Sequence, residues 1–163
     1  MAEQFKDQTI IITGATKGIG RAMAVVFGAN GANILATGRT SDELDSICRE
    51  VERAGAQAVP LVADLALADS PARITQQALD SFGRIDVLIN NAAIIHDSAS
   101  LVEFDAELWQ RVLYVNLVAP ALLTKAVLPH MIERRHGKII NIASIGGRRG
   151  GGERHVRGVR QQR

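Results

Sequence analysis

One stretch decides the fold of this chain: Thr13-Gly14-Ala15-Thr16-Lys17-Gly18-Ile19-Gly20. It stands between a β-branched, apolar run that begins at Gln8 and a segment with helical periodicity. Glycine has no Cβ and adopts positive φ, so a phosphate can approach the backbone of such a turn closely. The following helix would direct its unpaired N–H groups and the positive end of its dipole at that phosphate. The stretch therefore predicts a turn that binds a dinucleotide.

The glycine spacing, G-x-x-x-G-x-G, differs from the commoner G-x-G-x-x-G, so the rest of the chain has to support this interpretation. Strands are predicted at residues 8–13, 33–37, 58–63, 85–90 and 138–144, and helices at about 19–28, 40–54, 70–82 and 105–135. The alternation predicts an α/β fold, a Rossmann doubly wound parallel sheet truncated after the fifth strand. In the first helix, the stripe Ile19, Met23, Val26 and Phe27 is expected to pack on the sheet.

Composition places this chain among soluble globular domains with an aliphatic core, since 47% of its 163 residues are hydrophobic but only 4% are aromatic. The single cysteine, Cys48, is expected to be a buried apolar group in a reducing compartment. The first residues show no signal-peptide pattern. The apolar run from Val112 to Ile132 is interrupted by Asn116, Pro120 and two further residues, which favours a core helix over a membrane span. A cytoplasmic protein without a membrane segment is expected.

The basic residues are concentrated at the end of the chain. Residues 148–163 carry six arginines and one glutamate, whereas acidic residues outnumber basic ones by 16 to 13 before them. This Arg/Gly-rich segment has no helical or strand periodicity, so residues 1–147 are predicted to form the dinucleotide-binding domain and residues 148–163 a disordered tail. Binding of a nucleic acid or an acidic partner through the tail is an alternative function, but the tail offers no aromatic side chain for base stacking.

Four further motifs follow the glycine turn in order: Asp64-Leu65, Asn90-Asn91-Ala92, Asn116 and Ser144. Together with the glycine turn, they make the chain from about residue 6 to residue 147 resemble the classical short-chain dehydrogenase/reductase family. The resemblance implies an oxidoreductase that moves a hydride between a nicotinamide dinucleotide and a small-molecule carbonyl or alcohol, usually as a homo-oligomer. The family usually has glycine where this chain has Ala93.

The resemblance also implies roles for individual residues. Asp64 would accept a hydrogen bond from the adenine amino group, although the residue alone equally fits a capping or surface aspartate. Asn90 and Asn91 would hold their loop over the cofactor by hydrogen bonds to backbone. Ser144 would hold the substrate carbonyl, and Asn116 would anchor a water of the proton relay, unless it is simply a buried, satisfied polar residue. No metal is implied. The implied cofactor-binding residues are Gly14, Thr16, Lys17, Gly18, Ile19, Gly20, Arg39, Asp64, Leu65, Asn91 and Ala92.

Charge indicates which cofactor is preferred. An NAD-binding chain places a carboxylate about 20 residues after the glycine turn, to bind the ribose 2′-hydroxyl. This chain has Arg39 there, and Lys17 within the turn adds a second cation. A guanidinium can bind a 2′-phosphate through two hydrogen bonds, whereas a carboxylate would repel it. NADP is therefore predicted over NAD, the alternative being that both cations are merely solvated.

One expected motif is missing. The family's reaction uses a Tyr-x-x-x-Lys pair about a dozen residues after the serine, where the lysine lowers the pKa of the tyrosine so that it can exchange a proton. Arg157 and Gln161 stand there in this chain, and the only tyrosine is Tyr114. Arginine stays protonated and cannot replace the tyrosine. The chain is therefore predicted to be inactive, which leaves a non-catalytic NADP-binding module as the alternative function.

A shift of reading frame would explain the missing motif. Reading residues 152–159 one nucleotide later, with permissible codons, gives Ala-Ser-Ala-Thr-Tyr-Ala-Ala-Ser, which resembles the family and contains the tyrosine. The same shift does not restore the lysine, so a second change would be needed. The coding DNA tests this hypothesis, and an intact frame with unrelated codons would reject it.

Overall fold

The structure, a computed structural model, describes residues 4–95 and 102–145. Strands and helices alternate along these residues, as predicted. They are β1 (Thr9–Thr13), α1 (Gly18–Ala29), β2 (Asn33–Gly38), α2 (Ser41–Arg53), β3 (Ala58–Val62), α3 (Ser70–Phe82), β4 (Val87–Asn90), α4 (Ala106–Leu113), a π-helical segment (Tyr114–Val118), α5 (Ala119–Glu133) and β5 (Lys138–Asn141). The predicted tail, with Arg157 and Gln161, lies outside the described residues.

The five strands form one parallel sheet in the order β3-β2-β1-β4-β5. At its centre, Ile11 of β1 lies between Leu35 of β2 and Leu88 of β4. All five residues of β1 are buried, as its unbroken apolar run predicts for a strand covered on both faces. This order confirms the predicted Rossmann sheet, and it places a crevice at the carboxyl ends of β1 and β4, where the strand order reverses.

Alternate residues of the sheet support two separate hydrophobic cores. Ile10 and Ile12 face α1 and α2, and they pack with Leu44, Ile47 and other buried side chains of those helices. The opposite face of the sheet packs against α3 and α5. The buried members of this second core include Ile11, Leu35, Ile74, Leu88, Leu123 and Val127. Both faces are therefore covered by helices, which is the arrangement expected of a doubly wound sheet.

The prediction for the inner face of α1 was partly wrong. Ile19 and Val26 are 63% and 56% exposed, and the buried residues of the helix are Gly20, Ala24 and Gly28. These three lie four residues apart, on one face. Because these residues are small, this face of α1 lies close to α2. A Cβ added to Gly28 would lie only 2.6 Å from Cγ1 of Val51 in α2. The apolar pattern missed this face because glycine and alanine contribute little to a hydrophobic stripe.

Cys48 meets its prediction, since it lies in the first core and is only 5% exposed. Burial raises the pKa of its thiol to about 11, with a smaller contribution from the nearby carboxylates of Glu52 and Asp45. The thiol therefore stays protonated at neutral pH and behaves as a small apolar group.

The long predicted helix is present as α4, the π-helical segment and α5 in continuous succession. Its buried residues form one stripe with a spacing of four: Val115, Ala119, Leu123, Val127 and Met131. By length and mean hydropathy this is the one helix in the described part of the chain that could cross a membrane, with 28 residues and a value of 1.6. That is weak evidence, because core helices meet the same test. The buried stripe, shared with the sheet and α3, favours a helix layered on the sheet.

Several boundaries differ slightly from their predictions. β5 ends at Asn141 rather than residue 144, and β4 begins at Val87. The N-cap of α3 is Asp69, and Pro71 lies in its first turn, where proline is tolerated. Helix ends and strand ends commonly shift by one or two residues because capping and pairing are set by tertiary contacts.

The edge of the sheet opposite the crevice is fixed by a buried carboxylate. Asp86 is fully buried and accepts hydrogen bonds from the Thr9 backbone N–H at 2.9 Å and from Nε of Arg84 at 2.7 Å. Nη1 of Arg134 lies 3.2 Å from its other oxygen. Burial alone would raise the pKa of Asp86, but the hydrogen bonds and positive charges outweigh it and hold that pKa below its usual value. Asp86 thus joins the start of β1 to the end of α5.

Candidate cofactor-binding site

The predicted site residues follow the carboxyl ends of different strands. The glycine turn follows β1, Arg39 follows β2, Asp64 follows β3, Asn91 follows β4 and Ser144 follows β5. Because the strands are parallel and adjacent, all these ends lie along one edge of the sheet. The structure therefore brings residues from five distant parts of the sequence to the same edge of the sheet.

The glycine turn is packed so tightly against the loop after β4 that side chains are excluded. Gly14 has a φ of 65°, and a Cβ there would lie 2.9 Å from Cα of Ala92. A Cβ on Gly20 would collide with the carbonyl oxygen of Gly14 and lie 2.6 Å from Nδ2 of Asn91. Gly18 has a φ of 56° but open space around it. Gly14 and Gly20 thus permit the close approach of the glycine turn to the loop after β4, and Gly18 supplies a backbone conformation with positive φ on the exposed side.

Thr13 and Asn91 connect the two loops by hydrogen bonds. The Thr13 hydroxyl accepts from the backbone N–H groups of Asn91 and Ala92, each at 3.0 Å. In return, Nδ2 of Asn91 donates to the carbonyl oxygens of Thr13 at 2.9 Å and Gly14 at 3.2 Å. The Asn91 side chain therefore forms hydrogen bonds to backbone, as predicted. Ala93, the departure from the family pattern, is exposed and does not have positive φ, so the loop needs no glycine there.

Asn90 does not do what was predicted for it. Its side chain is buried, and Nδ2 donates to Oδ1 of Asn141 at 2.9 Å and to Oγ1 of Thr124 at 3.4 Å. Asn90 and Asn141 are register partners on β4 and β5, so their side chains lie side by side on the same face. Asn90 thus joins two strand ends and α5 through side chains, while the backbone contacts belong to Asn91.

The start of α1 is available to an anion. Lys17 occupies the N-cap position, and its side chain makes no capping hydrogen bond to the first turn. Lys17, Gly18 and Ile19 are all exposed. The first N–H groups of this helix have no partner within the helix itself, which together with the helix dipole favours a negatively charged group.

Two cations stand at neighbouring turns beside this helix start. A Cβ on Gly38 would lie 2.6 Å from Cγ2 of Thr16, which shows how closely the glycine turn approaches the end of β2. Arg39 follows Gly38 directly, and both Arg39 and Lys17 are exposed. Within the described residues, neither side chain forms an ion pair. Both charges are therefore available to a ligand.

Asp64 is held at the end of β3 by two partners. Its Oδ1 accepts the backbone N–H of Ala66 at 2.9 Å, and its Oδ2 accepts from Nη2 of Arg111 at 3.2 Å. The neighbouring Leu65 is 7% exposed and belongs to the second core with Val115. Asp64 therefore presents a fixed polar group at the rim of an apolar layer.

Asn116 lies in the π-helical segment and joins it to the loop after β4. Its Oδ1 accepts the backbone N–H of Ile94 at 2.8 Å, and its Nδ2 donates to the Ile94 carbonyl at 3.0 Å. The regular α-helical pattern is interrupted at Asn116, because the N–H of Ala119 bonds to the carbonyl of Tyr114, five residues earlier. Pro120 has no N–H for the carbonyl four residues before it, which explains the change of pattern here. Ser144 is exposed and comes three residues after β5.

Three residues of this region were missed by the sequence analysis. Thr13 was quoted as the first residue of the glycine turn but given no role, Asn141 was not singled out, and Arg111 was overlooked. Arg111 and Asp64 are 47 positions apart, so no local pattern joins them. No group of three or more His, Cys, Asp or Glu that could hold a metal occurs in the part of the chain that the structure describes.

The comparison with protein families settles the resemblance. A family model described as short chain dehydrogenase matches residues 8–156 of this chain. The chain belongs to the short-chain dehydrogenase family. Proteins of this family are oxidoreductases that bind NAD or NADP and act on small molecules.

Curated relatives in the short-chain dehydrogenase family share more than a third of the aligned residues. A short chain dehydrogenase of Pseudocercospora fijiensis is 37% identical over 87% of this chain and 46% of its own length. A 3-oxoacyl-(acyl-carrier-protein) reductase of Thermotoga maritima is 35% identical over 88% of this chain and 58% of its own length. The chain spans about half the length of the curated relatives that it matches.

Solved short-chain dehydrogenase structures have the same fold. A metagenomic short-chain oxidoreductase in complex with NADP superimposes with a TM-score of 0.86 at 36% identity, over 91% of this chain and 67% of that chain. An NAD+-bound xylitol dehydrogenase gives a TM-score of 0.87 at 27% identity, over 96% of this chain and 60% of that chain. The two neighbours hold different cofactors, so the fold alone does not select between NADP and NAD.

Proposed function

We propose that this chain is the cofactor-binding part of an NADP-dependent oxidoreductase acting on a carbonyl or alcohol. We further propose that, with Arg157 and Gln161 in place of the tyrosine and lysine, it binds NADP(H) without transferring hydride. In members of the family that have the tyrosine and lysine, the bound nicotinamide supplies or accepts the hydride. The substrate class follows from family membership, and the inactivity from the missing proton donor.

The observation that carries this proposal is the pair of exposed cations beside the open start of α1. The residues present fit a dinucleotide, because Gly18 leaves open space at the exposed start of α1 and the first helical turn leaves N–H groups for a phosphate. In this proposal, Gly14, Thr16, Gly18, Ile19 and Gly20 surround the diphosphate. Asp64, Leu65, Asn91 and Ala92 border the adenosine half.

The preference for NADP rests on Lys17 and Arg39. Both are exposed and unpaired among the described residues, at turns that approach each other through Thr16 and Gly38. A guanidinium and an ammonium at this place would stabilise a 2′-phosphate, and no carboxylate occupies the position next to β2 that would bind a 2′-hydroxyl.

Two further residues would serve the substrate side. Asn116, fixed by its two hydrogen bonds to Ile94, would hold a water through the irregular π-helical backbone. Ser144, at the end of β5, would donate a hydrogen bond to the substrate oxygen. Both groups position atoms, but neither replaces the proton exchange of a tyrosine phenol, so they do not restore catalysis.

A comparison of NADPH and NADH binding tests the cofactor proposal. We expect Arg39→Ala and Lys17→Ala each to weaken NADPH binding about tenfold or more, because each removes a hydrogen bond to a charged group. NADH affinity should change little, since it lacks the 2′-phosphate. Arg53→Ala, which removes an exposed arginine in the last turn of α2, is the matched control and should leave both affinities unchanged. Equal losses for both cofactors would reject selection through the 2′-phosphate.

A further inference from the structure

Arg111 makes one contact that the proposed function leaves unexplained. It lies in the last turn of α4, and its Nη2 donates to Oδ2 of Asp64 at 3.2 Å. Asp64 is the only partner of this guanidinium within the described residues. Both side chains remain partly exposed, at 49% for Arg111 and 32% for Asp64. An exposed ion pair of this kind contributes little to stability. Its position, at the edge of the sheet where the cofactor is proposed to bind, therefore says more about its role.

We propose that Arg111 is a positioning residue for recognition of the adenine base: it fixes the Asp64 carboxylate in the orientation that accepts the 6-amino group. This inference rests on the proposed function, because it requires that a dinucleotide occupies the crevice with its adenine beside Asp64.

The two partners of Asp64 explain how its orientation is fixed. The terminal torsion of an aspartate is broad, so a carboxylate with a single partner can turn about its last bond. Here the backbone N–H of Ala66 holds Oδ1 and the guanidinium of Arg111 holds Oδ2. A carboxylate has about four lone-pair sites, so these two bonds leave sites on both oxygens for a ligand. Arg111 thus restricts the rotation of the Asp64 carboxylate without occupying all of its lone-pair sites.

The surroundings of Arg111 match an adenine pocket. One helical turn after it, Val115 is buried in the second core together with Ala63 and Leu65, which flank Asp64 in sequence. Ala92, partly buried, packs against the same cluster. A flat base could therefore lie against the partly buried Ala92 at the rim of this apolar layer, while its amino edge meets the carboxylate that Arg111 holds. α4 would in this way contribute to cofactor selection without touching the phosphates.

The test compares NADPH with its purine counterpart, in which a hydrogen atom replaces the 6-amino group and N1 keeps its lone pair. Both ligands carry the same charge, so the loss of a cation from the protein affects them equally and cancels in the ratio of their dissociation constants. We expect the unmodified chain to prefer NADPH about tenfold or more, since the C–H at position 6 of the analogue donates no hydrogen bond to Asp64. Arg111→Met should reduce this preference to about threefold or less, and Arg111→Lys should retain most of it.

Gln110→Met is the control, because it alters the neighbouring exposed position of α4 without touching the ion pair. Thermal melts of all variants report whether the fold is kept. A preference that is unchanged in Arg111→Met would overturn the inference. Equal binding of both ligands to the unmodified chain would also overturn it, while leaving NADP binding intact. Binding of neither ligand would reject the proposed function, and the inference with it.

Discussion

At the scale of single residues, the buried carboxylate of Asp86 is held by three partners, Thr9, Arg84 and Arg134. We expect Asp86→Asn to lower the free energy of unfolding by about 2 kcal/mol at neutral pH, because it removes the charge that Arg84 and Arg134 share. Chemical denaturation measures this change. Asp69→Asn is the control, since its ion pair with Arg73 is long, at 3.8 Å, and exposed, so its loss should change stability by less than about 0.5 kcal/mol.

The same residue predicts a dependence on pH. The pKa of Asp86 is lowered in the folded chain, so its stabilising contribution is complete above the unfolded pKa of about 3.9 and is lost as the pH falls through the folded pKa. The difference in stability between the unmodified chain and Asp86→Asn should therefore be constant near neutral pH and shrink below about pH 4. A difference that grows on acidification would contradict this account.

At the scale of elements, the contact of α1 with α2 depends on a missing side chain. Gly→Ala in a helix normally stabilises by up to about 1 kcal/mol. Here we expect Gly28→Ala to destabilise by about 1 to 3 kcal/mol, because its Cβ would lie 2.6 Å from Cγ1 of the fully buried Val51. In the double variant with Val51→Ala, the new methyl should fill the space that is left, so the two changes should cost less together than their sum. Additive losses in thermal or chemical unfolding would show that the helices do not meet there.

The elements also show which features a sequence predicts well. α2 buries Leu44, Ile47, Cys48 and Val51, and this is the face that large apolar residues at helical spacing predict. The T-x-x-E sequence from Thr40 to Glu43 is typical of a helix start, and Thr40 is the N-cap of α2, but its side chain makes no capping hydrogen bond. The inner face of α1 was missed because it consists of small residues. Patterns of size and polarity in a sequence therefore predict which residues are buried, whereas the close contact of two helices through small residues requires the structure.

At the scale of the whole molecule, the strand order and the crevice follow from the alternation of elements and from the family motifs. The glycine turn, Asn91 and Asp64 could be predicted because their roles are tied to strand ends. The role of Arg111 could not be predicted, because its contact with Asp64 joins two segments 47 positions apart. Neither segment carries a sequence pattern that indicates the other. Asn90 was placed correctly but given the wrong partners, since only the register of β4 with β5 sets Asn141 beside it.

In our proposal, the described part of this chain is a folded Rossmann half that binds NADPH in preference to NADH. The decisive measurement is a titration of the purified chain with each cofactor, following nicotinamide fluorescence and the melting temperature together. We expect saturable binding at least about tenfold tighter for NADPH, and a rise in melting temperature of about 5 °C or more when NADPH is present at 100 times its dissociation constant. A cooperative melt that neither cofactor shifts would contradict the binding site, and the lack of any cooperative melt would contradict the fold.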